Sequence, residues 1–268
     1  MPQPVCYSCA LITGASAGLG EEFALQLASR VDKLVLVARR ETLLRQLSER
    51  IRVLHPAVEV YVYAADLTDP GEREDLVENL ILRRFIPDLL VNNAGLGDYG
   101  EFVTGDWTKI RSMLGLNIEA LTHLTHALLP AMIRCGHGAV INVSSLASLL
   151  PLPDLAVYAA TKAYVTSFSE ALRIELKEHG IPVLAVCPGP VHTEFGQVAR
   201  RGREGREMPG HRCFNVPKAQ VVAEALVALD SNRARVYPGL KTAAAALLIA
   251  ALPIVAIRLV MGLRPRKS

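Results

Sequence analysis

The sequence has 268 residues, a length that suits a single α/β domain with a large core. Its 29 basic and 26 acidic side chains give a net charge of +3, which is too even for nucleic-acid binding to be the main activity. An odd cysteine count of five, and a beginning with neither a basic segment nor an apolar run, lead us to expect reduced thiols in a cytoplasm.

Short apolar runs alternate with stretches of helical period along the chain. Such alternation predicts right-handed crossovers and a parallel sheet covered by helices on both faces. The runs that read as buried strands are 10–13, 34–38, 58–64, 89–92, 139–143 and 183–187. The stretches of helical period include 21–30, 42–53, 73–83 and 156–179.

The first predicted strand runs into a glycine-rich turn. Residues 13–20 read Thr-Gly-Ala-Ser-Ala-Gly-Leu-Gly, and a helical stretch follows directly. Glycines at such a turn let the backbone approach a pyrophosphate, whose charge the helix N-terminus stabilises. The spacing differs from the common G-x-G-x-x-G pattern, so a tight strand-to-helix loop explains the cluster equally well by itself.

Two later strand ends carry side chains suited to the rest of a dinucleotide. The second strand ends at Arg39 and Arg40, where an NAD enzyme usually has an acid for the ribose hydroxyls. The guanidinium of Arg39 can bind a 2′-phosphate, which favours NADP, although the alternative is a solvated arginine pair. Asp66, after the third strand, is placed to accept a hydrogen bond from an adenine amino group or to cap the next helix.

The segment from Tyr158 to Lys162 places a phenol and an ammonium one helical turn apart. A fixed cation favours the phenolate, so we expect Lys162 to lower the pKa of Tyr158 from about 10 and make it a general acid/base. Ser145 lies thirteen residues before the tyrosine. Because Tyr-x-x-x-Lys also occurs by chance in many helices, the other motifs decide its meaning.

Taken together, the motifs resemble those of the short-chain dehydrogenases/reductases in their short, single-domain form, which includes ketoacyl reductases and hydroxysteroid dehydrogenases. The resemblance covers residues 8 to about 239. It implies an α/β, three-layer Rossmann fold with a mostly parallel seven-stranded sheet over residues 1–240, and a homo-oligomer, a dimer or tetramer. The matching motifs, in the family's order, are Thr-Gly-x-x-x-Gly-x-Gly at 13–20, Asn-Asn-Ala-Gly at 92–95, Asn117, Ser145, Tyr158, Lys162 and Pro188-Gly189.

The resemblance also implies roles for the matching residues. Ser145 would bind the substrate oxygen, and Tyr158 would give or take its proton while hydride moves to or from the nicotinamide. Lys162 would also hold the nicotinamide ribose, and Asn117 would hold a water that relays protons. The residues expected to line the cofactor are Gly14, Ser16, Gly18, Leu19, Arg39, Asp66, Asn93, Tyr158, Lys162, Pro188, Gly189, Val191 and Thr193. No metal site is expected, since Cys6 and Cys9 lack a second pair and His123 and His126 lack acidic or thiol company.

Two segments bear on the substrate. The wall after the catalytic serine, residues 146–155, is rich in leucine and would make an apolar pocket entrance, although these leucines also suit a core. Residues 196–212, within a substrate lid expected at about 190–215, carry five arginines, two glutamates and four glycines. A basic lid could meet the phosphates of coenzyme A or an acyl carrier, or could be a solvated loop.

Beyond residue 239 the family pattern fades into an apolar tail with a basic end, residues 241–268. Residues 242–257 carry no charge, and Arg264, Arg266 and Lys267 follow. Sixteen uncharged residues fall short of the roughly 20 needed to cross a bilayer. A helix on a membrane surface and a segment packed against protein both remain open.

These patterns predict an NADP(H)-dependent enzyme that interconverts a ketone and a secondary alcohol on an apolar, 3-oxoacyl or steroid-like substrate. The competing hypothesis is a non-catalytic dinucleotide-binding sensor or scaffold, because fold alone does not establish function. The intact set Asn117, Ser145, Tyr158 and Lys162 favours the enzyme, since a sensor has no need of all four.

Overall fold

The computed structural model describes residues 5–201 and 215–262. Seven parallel strands form one sheet in the order β3-β2-β1-β4-β5-β6-β7. The predicted three-layer, Rossmann-type α/β architecture is therefore confirmed. The strands are β1 (Tyr7–Thr13), β2 (Val31–Ala38), β3 (Glu59–Ala64), β4 (Leu89–Asn92), β5 (Ala139–Val143), β6 (Val183–Val186) and β7 (Arg235–Val236).

Ten helices connect and follow the described strands. They are α1 (Gly18–Leu27), α2 (Glu41–Leu54), α3 (Pro70–Leu82), α4 (Trp107–Leu114), α5 (Leu121–Cys135), α6 (Ala156–Glu175), α7 (Phe195–Ala199), α8 (Lys218–Asp230), α9 (Leu240–Ala251) and α10 (Ile254–Gly262). A π-helical turn, Gly115–Ala120, joins α4 to α5, and a 3₁₀ turn, Leu146–Leu149, follows β5. The helix expected to run to residue 179 ends at Glu175 and is followed by the 3₁₀ turn Lys177–His179.

The two faces of the sheet carry separate cores because successive strand side chains point to opposite faces. On one face, Ile12 of β1 packs with side chains of α1, α2 and α8, such as Phe23. On the other face, Leu11 packs with side chains of α3 and α5, such as Leu76 and Leu128. Burial on both faces explains why the strands read as continuous apolar runs in the sequence.

Asp69, rather than Asp66, caps the helix after β3. The Asp69 carboxylate accepts hydrogen bonds from the amides of Gly71 and Glu72 at the start of α3. The alternative role of Asp66 as the helix cap is therefore wrong, and its carboxylate instead accepts bonds from the amide and hydroxyl of Thr68.

Candidate active site

The carboxyl ends of β1 and β4 meet at the glycine-rich turn. Gly14 has a φ of 67°, and a Cβ on Gly20 would lie 2.3 Å from the carbonyl oxygen of Gly14, so only glycine fits there. The side chain of Asn93 donates to the Thr13 and Gly14 carbonyls at 2.9 and 3.3 Å. The Thr13 hydroxyl in turn accepts from the amide of Asn93 at 3.0 Å.

The structure also shows that this turn fits a dinucleotide pyrophosphate. The N-cap residue of α1 is Ala17, whose methyl group cannot cap the helix, so the first amides of α1 are available to an anion. Thr193 packs over the turn, since a Cβ on Gly18 would lie 3.3 Å from its methyl group. Leu19 and Val191 pack against the core below, and the Pro188 carbonyl accepts a bond from the Leu146 amide.

The two arginines after β2 have different surroundings. Arg39 is 62% exposed and pairs with the Asp66 carboxylate at 3.6 Å. Burial raises the pKa of Asp66, but the Thr68 hydrogen bonds and the Arg39 charge outweigh it and hold that pKa below its usual value. Arg40 donates to the Ser16 hydroxyl of the turn and pairs with Glu194 at 2.8 Å. Arg40 therefore links the glycine-rich turn to the residue before α7, a contact that the sequence reading missed.

Ser145, Tyr158 and Lys162 meet where β5 ends and α6 begins. Tyr158 and Lys162 are both buried on α6, and the Lys162 ammonium lies 5.8 Å from the centre of the phenol ring. Lys162 Nζ donates to the Val143 carbonyl at 2.8 Å. The Ser145 side chain starts the Leu146–Leu149 turn, where it accepts from the Ala147 amide at 3.1 Å, and lies close enough to the Tyr158 hydroxyl to lower its pKa. The sequence spacing thus brings these three side chains together.

The pKa of Tyr158 shifts in the opposite direction from the one expected from the sequence. Burial raises the pKa of Tyr158 to about 12, and the nearby Ser145 side chain only partly offsets this effect. Burial also lowers the pKa of Lys162 to about 8, with the nearby Cys187 acting in the opposite direction. The ammonium bonds the Val143 carbonyl instead of the phenol oxygen, so desolvation decides both shifts. The phenol therefore stays protonated at neutral pH.

Asn117 is buried in the π-helical turn Gly115–Ala120, a distortion that is often found at functional sites. Its Oδ1 accepts from the Leu96 amide at 2.8 Å, and its Nδ2 donates to the Leu96 carbonyl and the Thr161 hydroxyl. A Cβ on Gly95 would lie 3.4 Å from Asn117 Oδ1 and 3.5 Å from Lys162 Nζ. Asn117 therefore lies beside the lysine and ties the loop after β4 to α6, while its role in holding a water stays a prediction.

Helix α7, which lies within the segment predicted as a substrate lid, packs over the phenol. The Phe195 ring lies 5.3 Å from the ring of Tyr158, and a Cβ on Gly97 would lie 2.6 Å from Phe195 Cζ. Buried Met113 and Leu155 pack with Tyr158. Half-buried side chains extend this apolar wall, namely Leu96, Tyr99, Ala147, Leu152, Val157 and Phe195. Part of the expected lid, residues 202–214, lies outside the described residues.

A buried charge cluster holds the far end of α7. The Asp98 carboxylate, only 4% exposed, accepts from Arg201 Nε at 3.0 Å and pairs with Lys109 at 3.2 Å. Lys109 also donates to the last two carbonyls of α7, those of residues 198 and 199, and to the carbonyl of residue 200 just after it, at 3.3–3.4 Å. This Asp98 clamp, formed by Asp98, Lys109 and Arg201, was missed in the sequence. The sequence signal for this cluster was Asp98 itself, an acidic residue in the otherwise uncharged loop 95–100.

The grouping of potential metal ligands can be described for residues 5–201 and 215–262. There, no three or more histidine, cysteine, aspartate or glutamate side chains are grouped to hold an ion. Cys6 and Cys135 are exposed free thiols, whereas Cys9 and Cys187 are buried.

Comparison with known proteins agrees with this geometry. A family model described as short chain dehydrogenase matches residues 8–204. Sulfoacetaldehyde reductase 2 of Chromohalobacter salexigens is 35% identical over 221 residues, which cover 80% of this chain and 84% of that protein. The very-long-chain 3-oxoacyl-CoA reductase of Anas platyrhynchos is 35% identical over 197 residues, 71% of this chain but only 62% of that protein.

Two solved structures extend the likeness over almost the whole chain. A short-chain dehydrogenase from Sphingobium yanoikuyae in complex with NADPH has a TM-score of 0.80 and 32% identity, covering 97% of this chain and 98% of its own. The bulky-bulky ketone specific alcohol dehydrogenase from Comamonas testosteroni has a TM-score of 0.76 and 29% identity, covering 100% and 97%. This chain belongs to the short-chain dehydrogenase family, whose members are oxidoreductases of carbonyl and alcohol groups.

Proposed function

We propose that the protein reduces a ketone to a secondary alcohol with NADPH, and that Tyr158 is the proton donor. The observation that carries this proposal is the cluster of Ser145, buried Tyr158 and buried Lys162, with the lysine one turn after the tyrosine on α6 and its ammonium 5.8 Å from the centre of the phenol ring. Bound NADPH supplies the hydride. A neutral phenol can give its proton to the substrate oxygen, and the Ser145 hydroxyl can hold that oxygen by a hydrogen bond.

The proton balance assigns further roles to neighbouring residues. As the carbonyl carbon gains hydride, its oxygen takes the Tyr158 proton, which leaves an alcohol and a phenolate. The charged Lys162 stabilises that phenolate more than it stabilises the neutral phenol, so its effect is largest during the reaction. A proton from solvent then restores the phenol, and the position of Asn117 beside Lys162 supports a relay through a water there.

We infer that NADP is preferred over NAD because of the two arginines after β2. Arg39 is mostly exposed, and Arg40 already contacts Ser16 on the glycine-rich turn, so both guanidiniums can reach a 2′-phosphate beside that turn. The NADPH complex of the Sphingobium relative supports this choice. Glu194, paired with Arg40, would be the anion that the phosphate displaces.

Two arginine variants test the cofactor choice. Arg39→Ala and Arg40→Ala should each raise the KM for NADPH about tenfold or more, as expected for a lost charge-assisted contact, and leave that for NADH almost unchanged. Arg45→Ala is a matched control, because its exposed guanidinium pairs only with Glu41 on the same helix among the contacts of the described residues. Equal KM values of the unmodified protein for NADPH and NADH would contradict the inference.

The apolar wall around Tyr158 supports an apolar ketone or a 3-oxoacyl thioester as the substrate. The basic side chains beside this wall, Lys109 and Arg201, are engaged with Asp98, which argues against a small charged aldehyde. Among the relatives, the 3-oxoacyl-CoA reductase and the bulky-ketone dehydrogenase agree with this inference better than sulfoacetaldehyde reductase does.

A substrate panel with NADPH oxidation followed by absorbance tests the function. It should contain 3-oxoacyl thioesters, steroid ketones, aryl ketones and sulfoacetaldehyde. Tyr158→Phe should abolish turnover of every active substrate while NADPH binding stays within about twofold, because only the hydroxyl is removed. Binding of NADPH without turnover of any panel member would favour the sensor or scaffold hypothesis, and an active Tyr158→Phe would remove the tyrosine from its role.

The predicted homo-oligomer and cytoplasmic location are part of this proposal. Light scattering coupled to size-exclusion chromatography tests the first. Protease added to unbroken membrane compartments tests the second, because a protein in the cytoplasm or on the cytoplasmic face of a membrane is digested.

A further inference from the structure

Helix α9 exposes an apolar face that no other segment within residues 5–201 and 215–262 covers. Thr242 and Ala246, one turn apart, are buried against the body. The opposite face is exposed, and Leu247 and Leu248 are 73% and 64% accessible. Its members recur at helical spacing and are Leu240, Ala244, Leu247, Leu248 and Ala251.

Helix α10 continues this exposed surface after a sharp bend at Pro253. Ile257 is buried, whereas Ile254, Val255, Leu259 and Val260 are between 50% and 65% accessible. By length and composition the two helices together could span a membrane, but they are bent by 112° relative to each other. No single helix among residues 5–201 and 215–262 is long and apolar enough to do so. At about 1.5 Å per residue, neither α9 nor α10 reaches across a hydrocarbon core of about 30 Å.

The sequence of the tail that contains α9 and α10 carries charges of only one sign. The tail, residues 241–268, contains the basic residues Lys241, Arg258, Arg264, Arg266 and Lys267 and no acidic residue. Subtracting these five from the 29 basic side chains leaves 24 against 26 acidic ones in residues 1–240. The net positive charge of the chain therefore lies in its tail.

This charge distribution favours a lipid surface over a second copy as the partner of the apolar face. Apolar side chains on two bent helices could be covered by a second copy or by lipid. Two copies meeting through this face would bring Lys241 and Arg258 of each copy together without an acidic residue from either tail, which is unfavourable. An anionic bilayer surface accepts both the apolar face and the basic groups, at about 1 kcal/mol for each basic residue near it.

We propose that α9 and α10 form a lipid-binding surface that holds the protein on anionic membranes without crossing them. The exposed leucines of both helices insert at the boundary between headgroups and acyl chains, and Lys241 and Arg258 extend to the headgroups. Helix α9 packs against the turn Leu146–Leu149, which directly follows Ser145. An apolar ketone dissolved in the same bilayer would therefore lie close to the apolar wall around Tyr158, a consequence that rests on the proposed function.

Vesicle flotation of the full-length protein tests the surface without using turnover. Vesicles of phosphatidylcholine alone are compared with vesicles containing about a third phosphatidylglycerol, at low and high salt. The variant Leu247→Gln/Leu259→Gln removes two exposed apolar side chains from the face. The matched control Val53→Gln/Ile174→Gln removes two exposed apolar side chains, 79% and 75% accessible, from α2 and α6. NADPH binding measured beside each sample shows that every variant is folded.

The expected result is flotation with anionic vesicles, at least fivefold weaker with phosphatidylcholine and weaker again at 1 M salt, where charges are screened within about 3 Å. Leu247→Gln/Leu259→Gln should lose most of the binding, and the control should keep it. No flotation with anionic vesicles, or equal flotation of both double variants, would overturn the proposal. A protein that stays off vesicles but becomes smaller on Leu247→Gln/Leu259→Gln would assign the face to a second copy. Because binding and turnover are measured separately, a failure here leaves the proposed reduction untouched.

Discussion

Replacing Asp98 by asparagine should show how much the Asp98 clamp, at the end of α7, contributes to the free energy of unfolding. The carboxylate is only 4% exposed, and its partners Arg201 and Lys109 are 24% and 28% exposed. Removing one member of a buried ion pair costs about 3–5 kcal/mol, because the remaining charge loses its partner. Here the two cations retain access to water and asparagine can still accept one bond, so we expect a loss of about 2 kcal/mol in the free energy of unfolding.

Urea unfolding followed by circular dichroism measures this loss, provided that the slope of the transition stays unchanged. Glu59→Gln is the control, because its pair with Lys33 is long, at 3.8 Å, and the two side chains are 56% and 37% exposed; it should cost less than about 0.5 kcal/mol. The kcat/KM for a bulky ketone should fall with Asp98→Asn, since α7 carries Phe195 over the phenol. Equal stability losses for Asp98→Asn and Glu59→Gln would refute the reasoning.

The difference in stability between the wild type and Asp98→Asn should change with pH in a defined direction. Burial raises the pKa of Asp98, but hydrogen bonds from Arg201 and Lys109 outweigh it and hold that pKa below the usual value of 3.8. A depressed carboxyl pKa stabilises the fold above the pKa of the unfolded chain and loses this effect as the pH falls through the folded value. The gap between wild type and Asp98→Asn should stay constant from pH 7 to about 5 and shrink below about pH 4.

Two further predictions concern Lys162 and the apolar wall around Tyr158. Burial lowers the pKa of Lys162 to about 8, while Tyr158 keeps its proton to about pH 12. The kcat/KM for ketone reduction should therefore fall as the pH rises through about 8, because Lys162 loses its charge. A pH profile that stays flat to about pH 10 would contradict this role of the ammonium. Gly97→Ala should displace Phe195, whose Cζ would lie 2.6 Å from the new Cβ, and raise the KM for bulky ketones several-fold with little change in kcat. Gly196→Ala is the control, since no atom of the described residues outside the neighbouring backbone lies within 4 Å of the added methyl group, and a similar KM change there would argue against a Phe195 effect.

Local pattern was sufficient for most of the fold. Buried parallel strands are apolar on both faces, so β2, β4 and β5 stand out in the sequence, and the glycine-rich turn marks the passage from β1 to α1. The two-residue β7 was missed, because so short a strand has no period of its own and exists only through its pairing with β6. Helix spacing likewise was sufficient to place Tyr158 and Lys162 on one face of α6.

Tertiary structure decided whatever depends on contacts between distant segments. The pKa of Tyr158 rises because folding removes water from the phenol and turns the Lys162 ammonium to the Val143 carbonyl, and neither effect can be deduced from a spacing of four residues. Arg40 meets Glu194 across 154 positions, and Asp98 meets Arg201 across 103. Adjacent arginines are equivalent in the sequence, but the fold turns one towards Asp66 and the other towards the glycine-rich turn, because their side chains leave the end of β2 in different directions.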